Sequence, residues 1–233
     1  MPFSLSIVIP AYNEQDTIAN SLMQISSFLK QCDFEYEIII VNDGSTDNTA
    51  SIVSKTKDVI LHNIPQNKGK GNAVKQGVLI AKKEYILFMD ADHAIPISYI
   101  IDFKKLIDNH DIIIGSKYLE QTENYPLYRR FVGKIFSLLK YWITGLKYKD
   151  TQCGFKLFRK EVGKDIFNLS QINGWCFDVE LLLIADKKGY SVKEFPVQLS
   201  TVNSLSKINV FNSGLQMFLD LIKLRLKFKK REL

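Results

Sequence analysis

Two carboxylates, Asp90 and Asp92, stand two residues apart in the segment DADH, directly after the apolar run Tyr85 to Met89. The turn that ends a strand breaks the alternation of side chains, so both carboxylates can face one hard cation. Mg2+ or Mn2+ held there keeps open positions for diphosphate oxygens and neutralises charge developing on a leaving nucleoside diphosphate. A solvated turn or a helix cap is the plainer reading of the same pair. Two more polar segments follow apolar runs in the same way: PAYNE from Pro10 to Glu14, and NDGSTD from Asn42 to Asp47. Asn13 and Asp47 are placed as helix caps, and Asp-Gly-Ser is ordinary turn chemistry. Asp43, at a strand end, offers a carboxylate to the donors of a nucleobase, while Tyr12 and Glu14 have no local explanation.

The elements that must carry these segments are short runs rich in Ile and Val, alternating with helical patterns. LSIVIP precedes a helix from about Glu14, and YEIIIV, DVILHN and YILFMD follow with helices between them. Strands separated by helical segments of about ten to fifteen residues predict parallel βαβ units, and unbroken apolar strands predict a sheet covered on both faces. Such sheets bind ligands beyond the carboxyl ends of their strands, which is where the three acidic segments fall.

The 233 residues, 46% of them apolar, suffice for a single domain with one substantial core. Lys and Arg exceed Asp and Glu by 31 to 25, which favours an acidic partner. Cys32, Cys153 and Cys176 are an odd, widely spaced set, expected of a reducing compartment, and no basic leader precedes the first apolar run. The expectation is a cytoplasmic domain, peripheral on the cytosolic face of a membrane. Leu127, Phe131, Ile135, Leu138, Leu139, Trp142 and Leu146 share one helical face, with Arg129, Arg130, Lys134, Lys140, Lys147 and Lys149 around it. A second stripe, Leu215, Leu219, Ile222 and Leu226, precedes a tail in which Lys223 to Arg231 includes six basic residues. Basic amphipathic helices of this kind suit an anionic membrane surface, although core or dimer packing would also use the apolar stripes. Leu and Phe interleaved through the basic tail argue against nucleic acid as the partner.

Taken in order, PAYNE, DGSTDNT, NKGKGNAVKQG and DAD closely resemble the nucleotide-sugar domain of family 2 glycosyltransferases with the GT-A fold, across about the first 120 residues. DTQCGFKLF from Asp150 and GWCFDVELLLIA from Gly174 resemble the polyprenyl-phosphate branch, above all the dolichyl-phosphate β-glucosyltransferases, with the mannose synthases more distant. The Gln-x-x-Arg-Trp signature of processive synthases does not occur, which disfavours a polymerase. Gly69 and Gly71 fit neither the P-loop nor the dinucleotide fingerprint, so an ATPase or dehydrogenase is rejected; Lys70, between them, is near the diphosphate on one reading and only part of a tight turn on the other.

The resemblance implies a donor part, about 1–120, and an acceptor and membrane-interface part, about 121–233. It implies that Pro10, Tyr12, Glu14, Val41 and Asp43 line the nucleoside pocket, and that Asp90, Ala91 and Asp92 hold diphosphate and metal. Lys117 stands where mannose synthases have Arg, keeping the charge without the bidentate fork. Lys207 matches a phosphate-contacting Lys, and Thr201 falls near a donor-contacting Arg of the family. His93 and Ala94 replace the Leu-Gln of mannose synthases, whose Gln binds metal; a solvent-facing or supporting His93 is expected rather than a ligand. The small residue after the acidic pair favours glucose over mannose.

The implied reaction is inverting transfer of a hexose, from UDP-glucose, to a polyprenyl phosphate. A lipid phosphate is already anionic, so positioning and charge neutralisation supply most of the catalysis. If a base acts, Asp150 is the first candidate and Asp178 or Glu180 the next; an orienting role for Asp150 stands equally. Arg129 and Arg130 are candidates for clamping the acceptor phosphate or for facing lipid headgroups. The alternatives are a glycan acceptor, GDP-mannose as donor, or a nucleotide-sugar-binding scaffold without turnover.

Overall fold

A computed structural model of the chain describes residues 2–119, 137–200 and 210–230, the last with side chains from 217 to 228. The first half runs β1 (Phe3–Ala11), α1 (Ile18–Leu29), β2 (Phe34–Asp43), α2 (Thr49–Ser54), β3 (Val59–Ile64), α3 (Lys70–Ile80) and β4 (Tyr85–Met89). A short 3-10 turn leads into α4 (Ile100–Ile107) and β5 (Ile112–Ser116). After a helix over residues 137–144, here α5, come β6 (Phe155–Arg159), α6 (Lys160–Leu169), α7 (Phe177–Lys187), β7 (Val192–Pro196) and α8 (Val210–Lys230).

The strands form one sheet in the order β3-β2-β1-β4-β6-β5-β7. β1 pairs in parallel with β2 and β4, while β6 runs antiparallel to both β4 and β5. The chain winds outward from β1 to β3 and then crosses to β4 on the other side of β1, which makes the ends of β1 and β4 a topological switch point. The sheet is thus mostly parallel and flanked by helices, as the alternation of apolar runs predicts.

Side-chain alternation along β1 builds both halves of the core. Leu5, Ile7 and Ile9 pack with Ile18 and Leu22 of α1 and Phe103 of α4, while Val8 packs with Val74 of α3, Ile166 of α6 and Val179 of α7. α7 is buried over nearly its whole length, which accounts for its run of apolar residues on every face.

Four local expectations are corrected. α1 begins at Ile18 rather than near Glu14, because Asn13 takes a positive φ and the Glu14 carbonyl accepts the Thr17 and Ile18 amides as a separate turn. Lys140 is not on the solvated flank of α5: it is buried and its ammonium donates to the Tyr148 carbonyl. Leu146 belongs to the core rather than to an outward stripe. Asp47 stands one residue before the α2 cap position, which Asn48 takes, although its Oδ1 accepts the Thr49 amide at 2.9 Å.

α3 sits so close to the sheet that a Cβ on Gly77 would lie 2.3 Å from Val8 Cγ1 and 3.0 Å from Val41 Cγ2. Central-strand valines cannot yield easily, so Gly77→Ala is expected to cost about 1–3 kcal/mol of unfolding free energy. Urea titration checks this; an unchanged midpoint would mean that α3 is not seated as described.

Candidate active site

The carboxyl ends of β2, β1 and β4 bring the three polar segments to one edge of the sheet. The first two are knitted together: Asn13 donates its amide to Ser45 Oγ at 3.0 Å and accepts the Thr46 amide at 2.9 Å, and the Glu14 amide donates to Thr49 Oγ1 at 2.8 Å. Pro10 lies beside Val41 in register. The Val41 side chain points into the core beneath α3, whereas Tyr12 is exposed at the rim.

Asp43, nearly fully buried, accepts the amides of Lys68 and Gly69 at 2.9 and 2.8 Å, one on each carboxylate oxygen. It thereby fixes the loop that delivers Lys70, the first residue of α3. Gly69 must be glycine here, since φ is +101° and a Cβ would meet the Asn173 carbonyl at 2.5 Å. Lys70 Nζ reaches Asp90 Oδ1 at 2.7 Å, so a chain of contacts joins the β2 loop to the β4 loop. Burial pushes Lys70 down, but the carboxylates of Asp90, Asp178 and Asp92 outweigh it and hold the ammonium above its ordinary range.

Asp90 rests on Gly154, at the entry to β6. Its amide donates to the Gly154 carbonyl, and a Cβ on Gly154 would fall 1.9 Å from Asp90 Oδ2. Asp92 Oδ1 accepts the Ala94 amide at 3.0 Å. Burial, then the Asp90 carboxylate and more weakly Glu14, push the Asp92 carboxyl up from its usual value. Asp90 and Asp92, two carboxylates just past the end of one strand, are oxygen donors of the kind a hard divalent cation takes. Among the described residues no trio of His, Cys, Asp and Glu could hold a metal alone, so such an ion would need oxygens from its ligand or from water to complete its shell.

His93 is neither a ligand nor solvent-facing. It is buried, with φ of +50°, its Nε2 accepts the Ile97 amide at 3.1 Å, and burial lowers its pKa. It is a neutral brace for the loop after Asp92.

A second group lies beyond Cys153. Asp150 is buried, with Oδ2 accepting the Lys117 amide at 3.1 Å and facing the Lys117 ammonium at 3.5 Å. Glu194 Oε1 in turn accepts the Asp150 amide at 3.0 Å. Cys153 is pushed up to about 12 by burial and feels Asp150, Lys117, Lys156 and Asp90, which places these charges around one buried thiol. Of the reserve bases, Asp178 is locked to Lys156 in the interior. Glu180 accepts the Gln171 and Ile172 amides at 2.8 Å each and the Lys227 ammonium at 2.8 Å. It ties α8 to the body. Arg129, Arg130, Thr201 and Lys207 lie outside the described residues.

Sequence reasoning missed Gly154, the Lys156–Asp178 pair, Glu194, and Trp175, whose ring lies 5.1 Å from Lys70 Nζ. The first and last sit in segments already singled out for family likeness, but a glycine under a carboxylate and a ring over an ammonium have no spacing signature.

Comparison with known proteins bears on the family and the fold. The glycosyl transferase family 2 model matches residues 6–167. The chain is 34% identical to a dolichyl-phosphate beta-glucosyltransferase of Dictyostelium discoideum, over 96% of this chain and 74% of the relative. It is 37% identical to one from Trichomonas vaginalis, over 96% and 71%. Among solved structures, glucosyl-3-phosphoglycerate synthase from Mycobacterium tuberculosis in complex with UDP superposes with a TM-score of 0.69 at 17% identity, covering 97% of this chain and 79% of that one. The same enzyme has been crystallised with Mn2+, UDP-glucose and phosphoglyceric acid. On the family match and the near full-length identity, the chain belongs to glycosyltransferase family 2.

Proposed function

We propose that this enzyme transfers glucose from UDP-glucose, with inversion, to a polyprenyl phosphate of the dolichyl type. The observation that carries the reading is the placement of Asp90 and Asp92 at the switch point, where β4 ends beside β1 and Lys70 Nζ reaches Asp90 Oδ1 at 2.7 Å. The near full-length likeness to dolichyl-phosphate beta-glucosyltransferases supports the choice of sugar and acceptor.

On this reading residues 1–120 hold the donor and the remainder receives the acceptor. Pro10, Tyr12, Glu14, Val41 and Asp43 surround the nucleoside, with Asp43 acting through the loop it fixes and Val41 through its backbone. Asp90 and Asp92 would hold Mg2+ or Mn2+, which when bound would supply positive charge to the diphosphate; Ala91, between them in sequence, is buried in the core. Lys117 presents a second cation, kept in place by Asp150. Because the Asp150 carboxylate is buried and occupied by Lys117, orienting that lysine suits it better than accepting a proton. The acceptor phosphate needs no base near neutral pH. Arg129, Arg130 and Lys207 are the proposed contacts to acceptor and donor phosphates.

A lipid acceptor requires approach to a membrane. Among the described residues no helix is long and apolar enough to cross one. Leu138 and Trp142 of α5 are 58% and 71% exposed, and Leu219, Ile222 and Leu226 form an outward stripe on α8. Arg225 Nη1 donates to the Trp142 carbonyl at 3.1 Å, joining the two helices into one surface. Apolar side chains beside Lys223 and Arg225 match the chemistry of an anionic headgroup layer.

Two experiments test these proposals. Incubated with Mn2+ and a short-chain polyprenyl phosphate, the protein is expected to form lipid-linked glucose from UDP-glucose and far less product from GDP-mannose. Asp92→Ala should reduce turnover by at least about 10²-fold with an unchanged melting temperature; full activity in that variant, or product only on a glycan acceptor, would refute the assignment. In flotation with vesicles containing phosphatidylserine, the wild type should rise with the lipid and Trp142→Ser/Leu226→Ser should remain below. Equal flotation of the two would refute the membrane face.

A further inference from the structure

Lys70 occupies an unusual place for a lysine beside a metal-binding carboxylate. Its Nζ is 2.7 Å from Asp90 Oδ1, with the side chain only 17% exposed. The rings of Phe88 and Trp175 lie 5.4 and 5.1 Å from that ammonium, so aromatic faces hold it where water is scarce. Its backbone is equally fixed. Asp43 grips the Gly69 amide, and the Gly71 amide donates to the Asn173 carbonyl at 2.7 Å. Asp90 cannot retreat, because Gly154 lies directly behind Oδ2. Lys156, whose ammonium lies 5.6 Å from the same Phe88 ring, is committed to Asp178.

A divalent cation held by Asp90 and Asp92 would therefore draw on a carboxylate that an internal cation already pairs. We propose that Lys70 is a resident counter-ion: in the donor-free enzyme it holds Asp90 against the metal, and it yields that carboxylate when the diphosphate arrives, turning its own charge to the phosphates. This rests on the assignment of Asp90 and Asp92 as metal ligands. The physical consequence is coupling. Two cations competing for one carboxylate make the metal bind weakly alone, and the negative charges of the diphosphate remove the competition, so metal and donor favour each other. Without a donor the Asp90 carboxylate stays paired with Lys70, and adventitious cations find one oxygen donor fewer.

The test is a Mn2+ titration followed by electron paramagnetic resonance on donor-free wild type, Lys70→Met and Lys70→Arg, with calorimetry of UDP at saturating Mn2+. Lys70→Met is expected to bind Mn2+ alone about tenfold more tightly and UDP about tenfold more weakly. Lys70→Arg, which keeps the charge, should retain weak donor-free Mn2+ binding. The opposite signs separate this role from a structural one, which would weaken both ligands together. Donor-free Mn2+ affinity in Lys70→Met that is unchanged or weaker, with thermal melting showing intact fold, overturns the proposal while leaving the metal assignment standing. Mn2+ binding with UDP that is no stronger in wild type than in Asp90→Asn overturns the metal assignment, and this proposal with it.

Discussion

Everything at the switch point answers to one constraint: Asp90 and Asp92 stand two residues apart just past the end of β4, and the Lys70 ammonium is paired with only the first of them. Parallel strands deliver them, because β1 and β4 are neighbours and end on the same side. Repulsion among carboxylates in a partly dry setting costs free energy unless a cation shares the space. Lys70 supplies part of that charge, and the features around it follow: glycines at 69 and 71 that let α3 approach, Asp43 gripping the preceding amides, and Gly154 leaving room for the Asp90 carboxylate. The site is thus prepared for a ligand that brings positive charge in a form a diphosphate can share.

The same economy of charge explains the deeper layer. Lys156 and Asp178 neutralise one another beneath Phe88, and Lys140 is satisfied by a carbonyl beneath α5. Glu180 caps the loop at residues 171–172 while anchoring Lys227 of α8. α8 is therefore fixed to the loop that backs Gly69 and Gly71, which links the outward apolar surface to the donor side through a short run of packed backbone.

The fold was largely legible in the amino-acid sequence because it depends on periodicity. Ile7, Val8 and Ile9 are buried on both faces of β1, and uninterrupted apolar runs with helical spacing between them are the signature of such strands. The antiparallel insertion of β6 beside β4 was not legible, since strand order is set by long-range packing rather than by local pattern. Nor was the start of α1, which a positive φ at Asn13 delays. At the site, residues at strand ends were found because topology puts ligands there. What went unread depends on contacts between distant segments: the glycine under Asp90, the burial of Lys140, and the committed carboxylate of Glu180. His93 was expected to be supporting or solvent-facing, and the contact that decides between these, its Nε2 holding the Ile97 amide, is not written in the spacing.

The most direct test of the central claim is crystallographic. Crystals soaked with Mn2+ and UDP-glucose, measured at the manganese absorption edge, should show an anomalous peak coordinated by Asp90 and Asp92 together with diphosphate oxygens. A bound diphosphate with no manganese at those carboxylates, or manganese held elsewhere in the protein, would contradict the account.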